Sequence, residues 1–205
     1  MTERTIDAVV FDIGGVLLDW SPDYLYADLI PDEQQRTHFL TNVATRTWNA
    51  QQDAGRTWAE AVAELAGQHP EHAEWIEAYD TGWLKMVKGV YEDTAELLTE
   101  IRALGLPTYA LTNFSHEKWE VAQEAFPILT TFDGEVVSGT EQTVKPGEKI
   151  YRILLERYKL DPARTFYTDD MQHNVEGARA VGMISERFTG AADLRVHLRN
   201  LGLAV

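Results

Sequence analysis

The sequence predicts an α/β protein built on a doubly wound parallel sheet, with an all-helical block inserted near its start. Three observations predict it. The chain opens on a short apolar run, Ile6 to Phe11, broken by the single charge of Asp7 and closed by Gly14-Gly15; this is the pattern of a strand covered on both faces. From Gly89 onward helical and strand patterns alternate, as βαβ units do. Between these stretches, from Tyr24 to about Lys88, helix punctuation recurs with no alternating strand pattern.

The first strand delivers Asp12 to a diglycine turn, where little side chain blocks a ligand. Ligands of open α/β sheets sit at the carboxyl ends of the strands, so Asp12 is the first candidate for chemistry. Ser21 followed by Pro22 marks an N-cap and first-turn proline, and Asp19 reads as a second capping residue there. Pro31-Asp32-Glu33, Gly55-Arg56-Thr57 and Gly67-Gln68-His69-Pro70-Glu71 divide the block into helices at roughly 22–29, 32–53, 57–66 and 70–87, the second broken near Thr45. Trp20, Trp48, Trp58, Trp75 and Trp83 fall in or beside this block. They read as its core and contact face, with a pocket lining as the alternative.

The second half follows as a helix over 92–104 closed by Gly105, a strand from Pro107 to Leu111, and a helix from Ser115 to Ala125. Two short extended pieces are expected around an Asp133-Gly134 turn. Helices over 148–158, 174–181 and 191–201 then alternate with strands over 164–167 and 183–186.

Composition narrows the function. Net charge is −15, with 33 acidic and 18 basic residues and no dense basic cluster, which argues against nucleic acid and anionic membranes as partners. No apolar run reaches the ~18 residues of a membrane span, and the polar Met1-Thr2-Glu3-Arg4 start lacks a signal-like apolar region. The chain has no cysteine, compatible with the cytoplasmic location expected here. An acidic chain repels anionic substrates, so a phosphorylated ligand needs a metal or particular basic residues.

Three strands end in polar residues: Asp12 after the first, Thr112 and Asn113 after the second, Asp169 and Asp170 after the third. Parallel packing puts these on one edge, within reach of Lys145 at a loop-to-helix junction. The set suits metal-assisted attack on a phosphate ester. Asp12, Asp169 and Asp170 offer hard oxygen ligands to Mg²⁺; Lys145 supplies positive charge. Thr112 and the Gly14-Gly15 backbone N–H groups can donate to phosphoryl oxygens, with Asn113 beside them. Asp12 is then the nucleophile that forms an aspartyl-phosphate.

The sequence resembles the haloacid dehalogenase-like hydrolase superfamily. The resemblance rests on Phe11-Asp12-Ile13-Gly14-Gly15-Val16, Leu111-Thr112-Asn113, Val144-Lys145-Pro146-Gly147 and Tyr167-Thr168-Asp169-Asp170, with Asn174-Val175-Glu176-Gly177-Ala178 behind. It implies a Rossmann-like core (1–19 and 89–205), a mobile helical cap (20–88) and an active site between them. It also implies that the Gly14 carbonyl joins the metal ligands. Family phosphatases usually carry a second Asp as general acid–base where Gly14 stands, and such groups contribute ~10²–10⁴-fold. Either slow turnover, or a small phosphorylated metabolite with an easily departing alcohol, such as a sugar 1-phosphate, is therefore expected. Two other functions compete: halide displacement from a haloacid, and a binding or regulatory module that has lost its acid. Asn174 either orients Lys145 or caps its helix, and His116 and His173 read as solvated loop residues.

Overall fold

The computed structural model describes residues 5–205, so the polar Met1-Thr2-Glu3-Arg4 start lies outside the described residues. The chain runs β1 (Ala8–Phe11), β2 (Leu18–Trp20), α1 (Pro22–Leu29), α2 (Glu33–Asn42), α3 (Arg46–Asp53), α4 (Trp58–Gln68), α5 (Ala73–Thr81), β3 (Val87–Val90), α6 (Glu92–Ala103), β4 (Thr108–Thr112) and α7 (His116–Ala125). It continues with β5 (Gly134–Val137), α8 (Ser138–Glu141), α9 (Glu148–Tyr158), β6 (Thr165–Asp169), α10 (Gln172–Ala180), β7 (Ile184–Arg187) and α11 (Ala191–Asn200). Five strands form one parallel sheet in the order β5-β4-β1-β6-β7. This is the doubly wound α/β core expected from the alternation of patterns.

Strand β1 occupies the centre because all four of its residues are apolar and buried. Successive side chains leave a strand on opposite faces. Val9 and Phe11 accordingly join a cluster with Leu97, Leu98 and Ile101 of α6 and Leu194 and Leu198 of α11. Ala8 and Val10 join Ile150, Tyr151, Leu154 and Leu155 of α9 on the other face. Each face of the sheet thus buries one apolar stripe.

The helices α1 to α5 form the insert. Four of them start on a side chain that caps a free backbone N–H: Ser21 on Asp23, Asp32 on Gln35, Thr45 on Trp48 and Thr57 on Glu60. Their shared core is aromatic. Tyr26 packs on Phe39 (5.0 Å between ring centroids), Trp48 on Tyr79 (5.2 Å), and Trp58 stacks on Tyr79 (5.6 Å).

The helix over 32–53 breaks near Thr45 as expected, into α2 and α3, with Thr45 capping the second. Other local expectations change. The helix expected over 70–87 ends at Thr81, and Val87–Val90 is a strand paired antiparallel with β2. Strands of three and four residues are too short for alternation to show. Asp19 caps no helix; it sits in β2 and accepts from the Tyr24 hydroxyl (2.7 Å). Asp133 makes no hairpin turn, because its carboxylate accepts the Thr108 N–H (2.8 Å) and the Arg102 guanidinium (3.0 Å). A single strand, β5, follows it.

Candidate active site

Parallel register brings the polar strand ends together. Phe11 stands level with Ala110 of β4 and Thr168 of β6, and the Asp12 N–H donates to the Thr168 carbonyl (3.0 Å). Asp12, Thr112 and Asp169 therefore leave one edge side by side. Among the described residues, Asp12, Asp169 and Asp170 form a group whose carboxylate oxygens lie within 4.8 Å of one another.

Lys145 is the centre of this arrangement. Its Nζ reaches Asp12 Oδ1 (2.8 Å), Asp169 Oδ2 (2.7 Å) and the Leu111 carbonyl (3.0 Å), so all three ammonium donors have partners. Burial alone would release its proton, yet the two carboxylates hold its pKa above the usual lysine value. The loop is fixed by Asn113, whose Nδ2 donates to the Lys145 carbonyl (3.0 Å) while its Oδ1 accepts the Lys145 N–H (2.8 Å). The Asn113 amide thus meets the Lys145 backbone, whereas the Thr112 hydroxyl bonds no partner among the described residues.

Asp169 is buried and saturated. It accepts from Lys145, the Tyr167 hydroxyl, the Met171 N–H (2.8 Å) and Asn174 Nδ2 (3.1 Å to each oxygen). Asn174 therefore acts on Lys145 through Asp169, and Tyr151 holds Asn174 by donating to its carbonyl (2.7 Å). Lys145 and this hydrogen-bond set hold the Asp169 carboxyl below its ordinary pKa despite burial. Tyr151 had no signal in the sequence beyond apolar spacing, and Tyr167 showed only as the strand residue that opens its motif.

Asp170 differs. It is half-buried, and among the described residues its carboxylate meets no side-chain donor. Burial first, and then Asp169, raise its pKa. Burial and Asp169 likewise push Asp12 up to about 8, against the pull of Lys145. Three carboxyl groups face one ammonium, so the set is short of positive charge. An all-oxygen donor set of this kind fits a hard divalent cation.

The insert closes over this edge. Trp58 Nε1 donates to Ser115 Oγ (2.9 Å), the Trp58 N–H to Glu117 (3.0 Å), and Ser138 Oγ to the Asp53 carbonyl (2.5 Å); Lys118 pairs with Asp80. Between insert and sheet edge lies a cavity of about 80 Å³, lined by Gly14 and Asn113 from the sheet edge and walled by Leu18, Trp20, Trp58, Trp83 and Phe114. The tryptophans therefore serve both as core and as lining. Asp53 and Asn49 also line it. Neither is visible in the sequence as a site residue, because α3 reaches the edge only through tertiary packing. Among the lining residues there is no histidine: His173 is exposed on α10, and His116 starts α7.

Comparison with known proteins gives a consistent picture. The family model for haloacid dehalogenase-like hydrolases matches residues 6–182. The sesquiterpene phosphatase astK of Aspergillus oryzae is 28% identical over 201 residues, spanning 96% of this chain and 97% of its own. A HAD family enzyme of Bacteroides thetaiotaomicron, solved with magnesium and inorganic phosphate, superposes with a TM-score of 0.70 at 21% identity, covering 89% of this chain and 93% of that one. The L-2-haloacid dehalogenase of Xanthobacter autotrophicus superposes with a TM-score of 0.63 at 20% identity, covering 98% and 85%. One fold accommodates both chemistries, so the side chains must decide between them.

Proposed function

The chain belongs to the haloacid dehalogenase-like hydrolase family, and on that premise we propose that it is a Mg²⁺-dependent phosphatase of a small, largely apolar phosphate monoester. The observation that carries this reading is the charge balance at the sheet edge: three converging carboxyl groups against the single ammonium of Lys145. Halide displacement needs one nucleophilic carboxylate and no metal, and the half-buried carboxylate of Asp170 would then add only repulsion.

In this reading Asp12 is the nucleophile. Its Oδ1 is held by the Ile13 N–H (2.7 Å) and by Lys145 (2.8 Å), which leaves Oδ2 to attack phosphorus. The P–O bond to the alcohol breaks, an aspartyl-phosphate forms, and water then releases inorganic phosphate and restores Asp12. Thr112 and the backbone of the Gly14-Gly15 turn donate to phosphoryl oxygens. Asp12, the Gly14 carbonyl and Asp170 would hold Mg²⁺, which when bound would offset phosphoryl charge; Asp169, its oxygens already engaged, anchors Lys145.

Gly15 tests the metal assignment. Its backbone has φ +74°, and a Cβ there would lie 2.9 Å from Asp170 Oδ2. Gly15→Ala should displace Asp170 and raise the Mg²⁺ dissociation constant about tenfold, or ~1.4 kcal/mol, by calorimetry. Unchanged affinity would remove Asp170 from the ligand set.

The apolar preference rests on the cavity. Five of its walls are Leu18, Trp20, Trp58, Trp83 and Phe114, and most of its polar side chains are engaged elsewhere: Asn113 with Lys145, Ser115 with Trp58, Lys118 with Asp80. A sugar would leave several hydroxyls without partners there, whereas an isoprenoid chain suits the wall; the likeness to a sesquiterpene phosphatase supports the same choice. Phosphate release from a panel of isoprenoid monophosphates and sugar 1-phosphates, with and without Mg²⁺, decides this. The isoprenoid esters should show at least tenfold higher kcat/KM, about 1.4 kcal/mol, and an equal or reversed ratio would restore the sugar phosphate expectation.

A further inference from the structure

Resting on the phosphatase reading, we propose that Asp53, brought by α3 of the helical insert, is the proton donor to the departing alcohol and the base for the attacking water. Gly14 and Asn113, beside Asp12 and Lys145, line the same cavity as Asp53, so a phosphate held at Asp12 with its organic group in the cavity puts the bridging oxygen on the side of the site that Asp53 lines. An alkoxide is a poor leaving group, so a proton must reach that oxygen as the P–O bond breaks. Gly14 has no side chain to give one. Of the cavity-lining side chains two are ionisable, Asp53 and Lys118, and Lys118 is paired with Asp80 beneath the Trp58 ring.

Asp53 is held in place from three sides. Asn49 Nδ2 donates to its Oδ2 (3.2 Å), the Ser115 N–H donates to the carboxylate, and Ser138 Oγ binds its carbonyl (2.5 Å). Burial pushes the carboxyl up to about 7, with Ser115 and the Lys145 ammonium pulling it back; Tyr79 of α5 is the other titratable group that feels its charge. Such a carboxyl carries its proton at neutral pH and can still give it up. In the first step the Asp53 proton passes to the alkoxide oxygen, which leaves as the neutral alcohol, while Asp12 takes the phosphoryl group. In the second, the Asp53 carboxylate takes a proton from water, whose oxygen bonds phosphorus; the P–O bond to Asp12 breaks and the Asp53 carboxyl is restored.

The test compares an n-alkyl phosphate with p-nitrophenyl phosphate, whose phenolate leaves without a proton, on the Mg²⁺-loaded enzyme and its Asp53→Asn variant. The kcat/KM value reports the steps through alcohol departure. Asp53→Asn should lower it about 10²-fold for the alkyl ester and less than about threefold for the aryl ester. Retained aryl hydrolysis also shows that the variant is folded. Equal losses on both esters, or none on either, overturn the assignment. A second measurement needs no variant: if the wild type already favours the aryl ester by more than about 10³-fold, no proton is being delivered and Asp53 is not the donor. If the wild type releases phosphate from neither ester, the phosphatase reading itself fails, an outcome distinct from a failure of Asp53 alone.

Discussion

With Asp12 as the proposed nucleophile, Asp12→Asn should abolish phosphate release, by on the order of 10⁴-fold or more, because an amide oxygen cannot take its place as the attacking atom. The same change should leave the fold intact and even favour it in metal-free buffer. The Asp12 carboxyl is raised to about 8, from an ordinary value of 3.8, by burial first and by Asp169 second. Between those values the folded chain keeps a proton that the unfolded chain releases. The contribution of Asp12 to stability is therefore present below about pH 4 and lost as pH climbs toward 8. Removing the titrating group removes that loss. The melting temperature of Asp12→Asn relative to wild type should rise between pH 5 and pH 8, as scanning calorimetry without metal can show. A relative melting temperature that stays flat over this range would mean that Lys145, rather than burial, dominates the carboxyl.

Lys145→Met should lose activity as well, but with it stability. The buried ammonium lies within 2.8 Å of Asp12 and 2.7 Å of Asp169, and its removal leaves two carboxyl groups facing each other without a counter-charge. Breaking one partner out of a buried ion pair costs about 3–5 kcal/mol. Urea unfolding at pH 7 should show a loss in that range. Lys145→Arg should not rescue it, because a planar fork cannot make the three divergent contacts of an ammonium. A loss below about 1 kcal/mol would mean that solvent or a protonated Asp12 already screens the pair.

The parts of the site that follow from chain direction could be read from the sequence. A strand that ends in an acid, in a sheet whose strands run one way, has one edge on which to present it, and Asp12, Thr112 and Asp169 obey that rule. Lys145 was legible because a lysine next to Pro146-Gly147 sits where a loop enters a helix. The fold class followed from the same alternation. What the sequence concealed were contacts across long separations. Asp53 reaches Ser115 and Ser138 only after α3 has packed on aromatic neighbours from α4 and α5. The division of labour between Asp169 and Asp170 was hidden too, since adjacent identical residues differ only in which donors surround them. The short strands β2 and β3 left no periodic trace.

That short pair has a further consequence. Leu18 pairs with Val90 and Asp19 with Gly89, so the polypeptide leaves the sheet and returns to it through adjacent residues. The whole helical excursion is a closed loop whose ends already touch. Folding of the sheet then bears the loop-closure entropy of the excursion once, at the ribbon, and β1 can find β4 across what is in effect a short connection. Through that ribbon the insert is joined to the core at a single place. The register of β1 with β4 and β6, which sets Asp12 beside Thr112 and Asp169, is then independent of how many residues the excursion contains.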